Sequence, residues 1–196
     1  GEEPSEPQGG ALEMLLETAA LCANAVLGED PAEDTGDPLE TALLRGALLA
    51  GLERERLLDR LPEVREEPFS NDTNMMATFH RRAEGGVLVA VKGATAPVLE
   101  ACDQVAGPNG RVGFDQEGRE LWKRRSDELA ARGLRVIALA RKQAEDEQGD
   151  SYAGLTLLGL AGLLDPPREE VAGTIAGLRS AGIDVIMVKG DQPGTA

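Results

Sequence analysis

The sequence predicts an α+β fold, an antiparallel β-sheet flanked by helices, followed by a C-terminal β-α fragment of a doubly wound α/β domain. Three observations carry that prediction. Residues 75–82 and 87–92 are strand-like runs joined by Ala83-Glu84-Gly85-Gly86, the glycines a hairpin turn wants. Apolar residues recur at helical spacing at Leu12, Leu15, Leu16, Ala19, Ala20 and Ala23, and an amphipathic pattern returns over 117–131. Near the end, a helical stretch over 169–181, a stop at Gly182 and an apolar run over 184–188 have the form of a helix leading into a parallel strand.

The elements follow in order. Residues 1–10 mix glutamate, proline, serine and glycine without apolar periodicity, so a mobile leader is expected. The first helix is predicted over 11–27, with Gly28 as its stop. After an acidic loop, Asp37-Pro38-Leu39-Glu40 is built like a helix start, with Asp37 at the cap, Pro38 at the first position and Glu40 placed to close a capping box. That helix is expected to run to about Ala50. A short helix over 54–60 ends at Leu61-Pro62, and residues 64–69 read as a strand. Val87 to Val91 is a β-branched run suited to a central strand, and Thr95 with Pro97 opens a helix expected to continue through Cys102.

Gly107-Pro108-Asn109-Gly110 is a turn cluster without the lysine and serine of a phosphate loop. The helix over 117–131 is expected to turn Leu121, Leu129 and Ala130 inward and Lys123, Arg124 and Arg125 outward. Gly133 stops it, Arg135 opens a strand through Ala140, residues 145–150 form an acidic loop, and residues 155–164 return as a strand. Asp165-Pro166-Pro167-Arg168 is a stiff crossing, since two prolines fix two backbone angles and withhold two donors. The domain plan is therefore leader 1–10, a main domain 11–164, and a hinge with part of a second domain over 165–196.

Composition narrows the function. The chain has 196 residues and a formal net charge of −15, which argues against nucleic acid or an anionic membrane surface as partner. A compact site with a lysine and an arginine can still hold a polyphosphate. No apolar stretch approaches the roughly 20 residues needed to cross a bilayer, so no direct membrane contact is expected. Cys22 and Cys102, both placed in predicted helices, are expected as buried free thiols of a reducing compartment. His80, the sole histidine, is expected on a strand surface, and no metal-ligand spacing surrounds it.

Lys92-Gly93-Ala94 at the strand-to-helix junction has two readings. It is either a surface turn, or a site where Gly93 lets a ligand approach the backbone while Lys92 offers a point charge suited to phosphate. Phe69 likewise is either a core ring at a strand end or a platform for a base. Glu40 is either a cap residue or a hydrogen-bond acceptor, and one carboxylate can be both. Arg135 is either a strand-edge charge or a phosphate contact.

Taken together, Gly36-Asp37-Pro38-Leu39-Glu40, Pro68-Phe69-Ser70, Lys92-Gly93-Ala94, Gly133-Leu134-Arg135-Val136-Ile137-Ala138-Leu139-Ala140, Asp165-Pro166-Pro167-Arg168 and Met187-Val188-Lys189-Gly190-Asp191 stand in an order that resembles the nucleotide-binding domain of P-type ATPases. These are cation pumps that phosphorylate themselves on an aspartate. The likeness runs from about Leu12 to the last residue, and is nearer the calcium, sodium/potassium and magnesium pumps than the heavy-metal pumps, whose histidine-proline pair is missing.

The resemblance implies that Glu40, Phe69, Ser70, Lys92, Gly93 and Arg135 bind an adenine nucleotide. Phe69 would stack the base, Glu40 would accept from its exocyclic amine, and Lys92 and Arg135 would face the phosphates. Asp165, Arg168, Gly190 and Asp191 would serve the hinge and phosphate side. ATP with magnesium is the implied ligand, and the implied partners are the phosphorylation, actuator and membrane domains of a pump, with this part on the cytoplasmic side. No catalytic residue is expected, because the motif Asp-Lys-Thr-Gly-Thr does not occur, so the chain should bind ATP without hydrolysing it. Two departures weigh the other way: Lys189 replaces the usual threonine and Asn74 stands where calcium-pump relatives carry a second lysine. An interaction domain with little nucleotide binding is the alternative they suggest. A self-contained small-molecule hydrolase fits less well, for want of an aspartate-bearing strand.

Overall fold

A computed structural model describes residues 10–107, 110–164 and 169–186. Its centre is one seven-stranded sheet: β1 (Glu63–Ser70), β2 (Met75–Arg81), β3 (Val87–Gly93), β4 (Cys102–Gly107), β5 (Gly110–Gly113), β6 (Arg135–Ala144) and β7 (Leu155–Leu163), in the order β1-β2-β3-β6-β7-β4-β5. All neighbours are antiparallel except β4 and β7, which run parallel. Helices α1 (Ala11–Leu21), α2 (Pro38–Leu49) and α3 (Arg54–Arg60) lie on one face, and α4 (Thr95–Glu100) and α5 (Gln116–Ala131) on the other. The last helix, α6 (Glu169–Ser180), has no buried residue among those whose side chains are described.

Covering both faces explains why β2 and β3 are buried along almost their whole length, Thr78 and His80 included. Alternate residues go to opposite layers: Ala77, Phe79, Val89 and Val91 pack toward α4 and α5, while Met76, Leu88 and Ala90 pack toward α1, α2 and α3. Each of the larger side chains contributes roughly 1.5–3 kcal/mol through burial, and each alanine methyl about 0.8 kcal/mol. Lys92 and Arg135 fall on the second layer's side by the same alternation.

Several expected boundaries move. The first helix ends at Leu21 rather than Leu27, because tertiary partners take over its C-terminal carbonyls: Arg54 donates to Ala20 O and Ala23 O, and Lys92 to Cys22 O. Cys22 therefore sits just past a helix end, and Cys102 starts a strand; neither is helical. Both are free and buried, and burial pushes their thiols up to about 11 and about 12. The expected helix through Cys102 stops at Glu100, since residues 102–105 pair with β7 and then form a hairpin with β5. Leu121 is exposed, and the inward face of α5 is instead Trp122, Ser126, Leu129 and Ala130.

His80 is wholly buried rather than on a strand surface, between Leu61 O at 3.0 Å and Thr78 Oγ1 at 2.8 Å. Burial lowers its pKa to about 4, so the ring is neutral. Residues 183–186 form no strand, against the one expected over 184–188. Residues 187–188, the leader over 1–9, Pro108-Asn109 and the crossing 165–168 lie outside the described residues. Among the described residues no helix is long and apolar enough to cross a membrane.

Candidate functional site

The site begins where α1 stops. The amide of Cys22 still donates to Thr18 O, residues 23–25 then run on outside the helix, and the amides of Asn24 and Ala25 donate to Glu40 Oε2 at 2.8 and 2.9 Å. Glu40 is carried there by α2, whose start forms as the sequence predicts: Asp37 accepts from Leu39 N at 2.8 Å and Pro38 occupies the first turn. The capping box does not close, because Glu40's oxygens turn away from its own helix toward residues 24 and 25 and toward Lys92. Gly36 makes that approach possible: a Cβ there would lie 2.8 Å from the backbone of Ala25, and its φ is +113°.

Lys92, near the end of β3, reaches the same carboxylate and also donates to Cys22 O at 2.6 Å. The two side chains are 8% and 12% exposed, so the ion pair is largely desolvated. An ammonium has three donors. Two are committed here, which leaves one for the cleft.

Phe69 reaches the cleft through an irregularity in β1. Glu67 pairs with Ala77 and Ser70 with Met75, so three steps of β1 span two of β2. The extra residue reverses the facing of Phe69, which a regular strand would have turned toward α4 and α5. Its ring is 56% exposed. The following turn closes with Asn74 in the left-handed region at φ +53°, a conformation asparagine tolerates, and Asn74 O accepts from Ala94 N.

These residues meet in one cleft of about 570 Å³, lined among others by Glu40, Phe69, Asn74, Lys92, Gly93 and Arg135, with Leu39, Met76, Val136 and Ile137 as apolar wall. That size and mix suit a small organic ligand. Arg135 is exposed at the start of β6. Ser70 is brought near but does not line the cleft; its hydroxyl accepts from Asp72 N at 3.2 Å. Gly93 lines it, yet its missing Cβ is not left open for a ligand. A Cβ would sit 2.5 Å from Asn74 O and 3.0 Å from Met75 Cα, so the glycine is demanded by the neighbouring turn. Asp165, Arg168, Gly190 and Asp191 lie outside the described residues.

Sequence reasoning missed Asn24, whose side chain donates to Glu66 at 2.8 Å and which also lines the cleft. The error was to run the first helix past it. A usable signal was present in Asn24 itself, a poor residue for a helix interior. Among the described residues no group of three or more histidine, cysteine, aspartate or glutamate side chains could hold a metal ion.

Comparison with known proteins bears on the same region. The family described as "P-type ATPase, cytoplasmic domain N" matches residues 11–170. The chain is 36% identical over 194 residues to "Cation-transporting ATPase pma1" of Synechocystis, covering 94% of this chain and 21% of that protein. It is 38% identical over 193 residues to "Probable cation-transporting ATPase F" of Mycobacterium tuberculosis, covering 95% and 21%. It is 34% identical over 221 residues to "Endoplasmic reticulum calcium ATPase srcA" of Aspergillus fumigatus, covering 93% and 23%. The chain thus spans about a fifth of the length of the curated relatives it matches.

Proposed function

The chain belongs to the P-type ATPase cytoplasmic domain N family, and from that premise we propose that its cleft binds ATP and positions it for phosphoryl transfer to an aspartate outside these residues. The observation supporting this is the convergence of Phe69, Glu40, Lys92 and Arg135 on one cleft of about 570 Å³. Phe69 offers a free ring face for the base, worth roughly 1–3 kcal/mol by analogy with other base–aromatic stacks. Glu40 retains lone pairs beyond those given to Asn24, Ala25 and Lys92 and accepts from the exocyclic amine. Lys92 shares that carboxylate, so its remaining N–H acts at the inner end of the cleft. Arg135 is left as the exposed cation for the phosphates, where a guanidinium can pair in bidentate fashion. Magnesium would come with the nucleotide, neutralising charge on the phosphates.

The same proposal assigns roles to the C-terminal motifs. Asp165 and Arg168 would form the hinge, and Gly190 and Asp191 would belong to a phosphorylation domain beginning within 165–196. In a pump the partners would be that domain, an actuator domain and the membrane helices, with this domain in the cytoplasm. The chain itself would hold ATP without turning it over.

The test is calorimetric. Phe69→Ala should weaken ATP binding about tenfold, with little change in folding because the ring is already exposed. An unchanged Kd refutes the placement of the base. Sustained phosphate release from ATP by the pure chain refutes the binding-only role. One observation favours a second reading, an interaction domain of the same fold: two of the three Lys92 N–H donors are already given to Glu40 and Cys22 O, and Asn74 is uncharged. Absence of any ATP-induced amide shift at millimolar concentration would decide for it.

A further inference from the structure

On the face of the sheet that carries α1, α2 and α3, these helices cover β2, β3 and β6, and α1 alone reaches toward the wing made by β7, β4 and β5. The wing is left open there. A second cavity of about 370 Å³ lies in that opening, remote from the cleft of Glu40 and Phe69. Its floor is Ala106, Thr156 and Leu158, its helix-side wall is Met14, and Arg111 and Arg141 stand at its sides.

The register accounts for this gathering. Arg141 pairs with Thr156 across β6 and β7, Thr156 with Gln104 across β7 and β4, and Ala106 with Arg111 across β4 and β5. Neighbouring strands thereby bring two arginines 30 residues apart to one side of the sheet. Only one acid meets them. Arg141 Nη1 donates to Glu17 Oε2 at 3.0 Å, and the Arg111 guanidinium has no hydrogen-bond or ion-pair partner among the described residues. Burial holds Arg141 below the ordinary guanidinium range, and the charges of Arg111 and Arg82 push the same way. Arg82 is paired with Glu84, so the cavity itself has two guanidiniums facing a single glutamate, a local excess of positive charge in a chain whose net charge is −15.

Such an excess costs stability unless an anion relieves it. The amides at the start of α1 add to the positive field, since Gly10 supplies no side-chain cap. We propose that the cavity beside Arg111 and Arg141 binds small phosphate-bearing anions, at a site separate from the cleft. The planar forks of two arginines favour a tetrahedral oxyanion group with several acceptors over a halide. Occupancy would join the N-terminal half of α1 to the outer strands, and the helix carrying Glu17 would then be held at both ends, by Arg54 and Lys92 at one and by the anion at the other.

The test uses the whole chain and inorganic pyrophosphate without divalent cation, followed by amide NMR at matched ionic strength. Saturable shifts are expected at Ala106, Arg111 and Thr156, with none of comparable size at Phe69 and Gly93. Arg111→Gln, at an exposed side chain without a partner among the described residues, should leave the fold intact and weaken the response about tenfold; Arg111→Lys should recover part of it. Phe69→Ala should leave it unchanged, so the outcome does not depend on how the cleft is read. Equal shifts with sodium chloride, shifts confined to the cleft, an unaltered response in Arg111→Gln, or no response at tens of millimolar each overturns the proposal.

Discussion

Glu40 and Lys92 can be separated by a double-mutant cycle. Glu40→Gln keeps the side chain's size but offers one acceptor oxygen instead of two. With that oxygen kept on the amides of Asn24 and Ala25, the new NH2 faces Lys92 Nζ, donor against donor. Breaking a buried pair by removing one partner costs about 3–5 kcal/mol. Here the side chains are 8% and 12% exposed and Cys22 O still accepts from the ammonium, which lowers the figure to about 2–3 kcal/mol. For a chain of this length that is a fall in Tm of about 5–10 °C.

Lys92→Met should cost less, about 1–2 kcal/mol, because the carboxylate it leaves behind keeps two backbone N–H bonds. The double variant removes the donor clash altogether. Urea denaturation of the four proteins should give a coupling of about 1 kcal/mol or more, with the double variant more stable than the sum of the singles predicts. Additivity to within about 0.5 kcal/mol would mean that the two groups do not meet in solution. The account of the cleft's inner end would then be wrong.

His80 is neutral and buried, with its pKa lowered to about 4 from an ordinary 6.5. Between those values the unfolded chain takes up a proton that the folded chain refuses. Stability from this group is thus complete above pH 6.5 and declines as pH falls through 4, by on the order of 3 kcal/mol in total. His80→Gln should flatten that part of the pH profile in urea denaturation, and an identical slope in both proteins would rule the residue out. Gly93→Ala drives a Cβ into Asn74 O and Met75, so a loss of about 1–3 kcal/mol is expected by calorimetry; an unchanged Tm would show that the turn is not packed this way. Both cysteine thiols should resist iodoacetamide at pH 8 while the chain is folded, since burial keeps them protonated, and labelling without unfolding would contradict their burial.

Local pattern was a sound guide wherever it stood alone. The hairpin of β2 and β3, the start of α2 and the stop at Gly182 depend on glycines and caps a few residues away, and these are visible in a linear reading. Pattern failed where distant side chains decide. The end of α1 is set by Arg54 and Lys92, 34 and 70 residues from the carbonyls at Ala20 and Cys22 that they reach. Residues 102–107 have little strand character, and pairing with β7 overrides it. Glu40, Phe69, Lys92, Gly93 and Arg135 were legible as one cleft because family motifs mark them. The reason for Gly93 was not, since the atoms filling its Cβ space belong to a turn 19 residues earlier.

Residues 20–25 are gripped from α2, α3 and β3 at once, through Glu40, Arg54 and Lys92, and those beyond Cys22 are in no regular helix or strand. Contacts of that span close only after the elements supplying them have assembled, because loop-closure entropy must be met first. Substitutions in this stretch should therefore quicken unfolding while leaving the refolding rate almost unchanged. The innermost corner of the cleft would be the last piece to lock during folding, and the first to loosen when the domain comes apart.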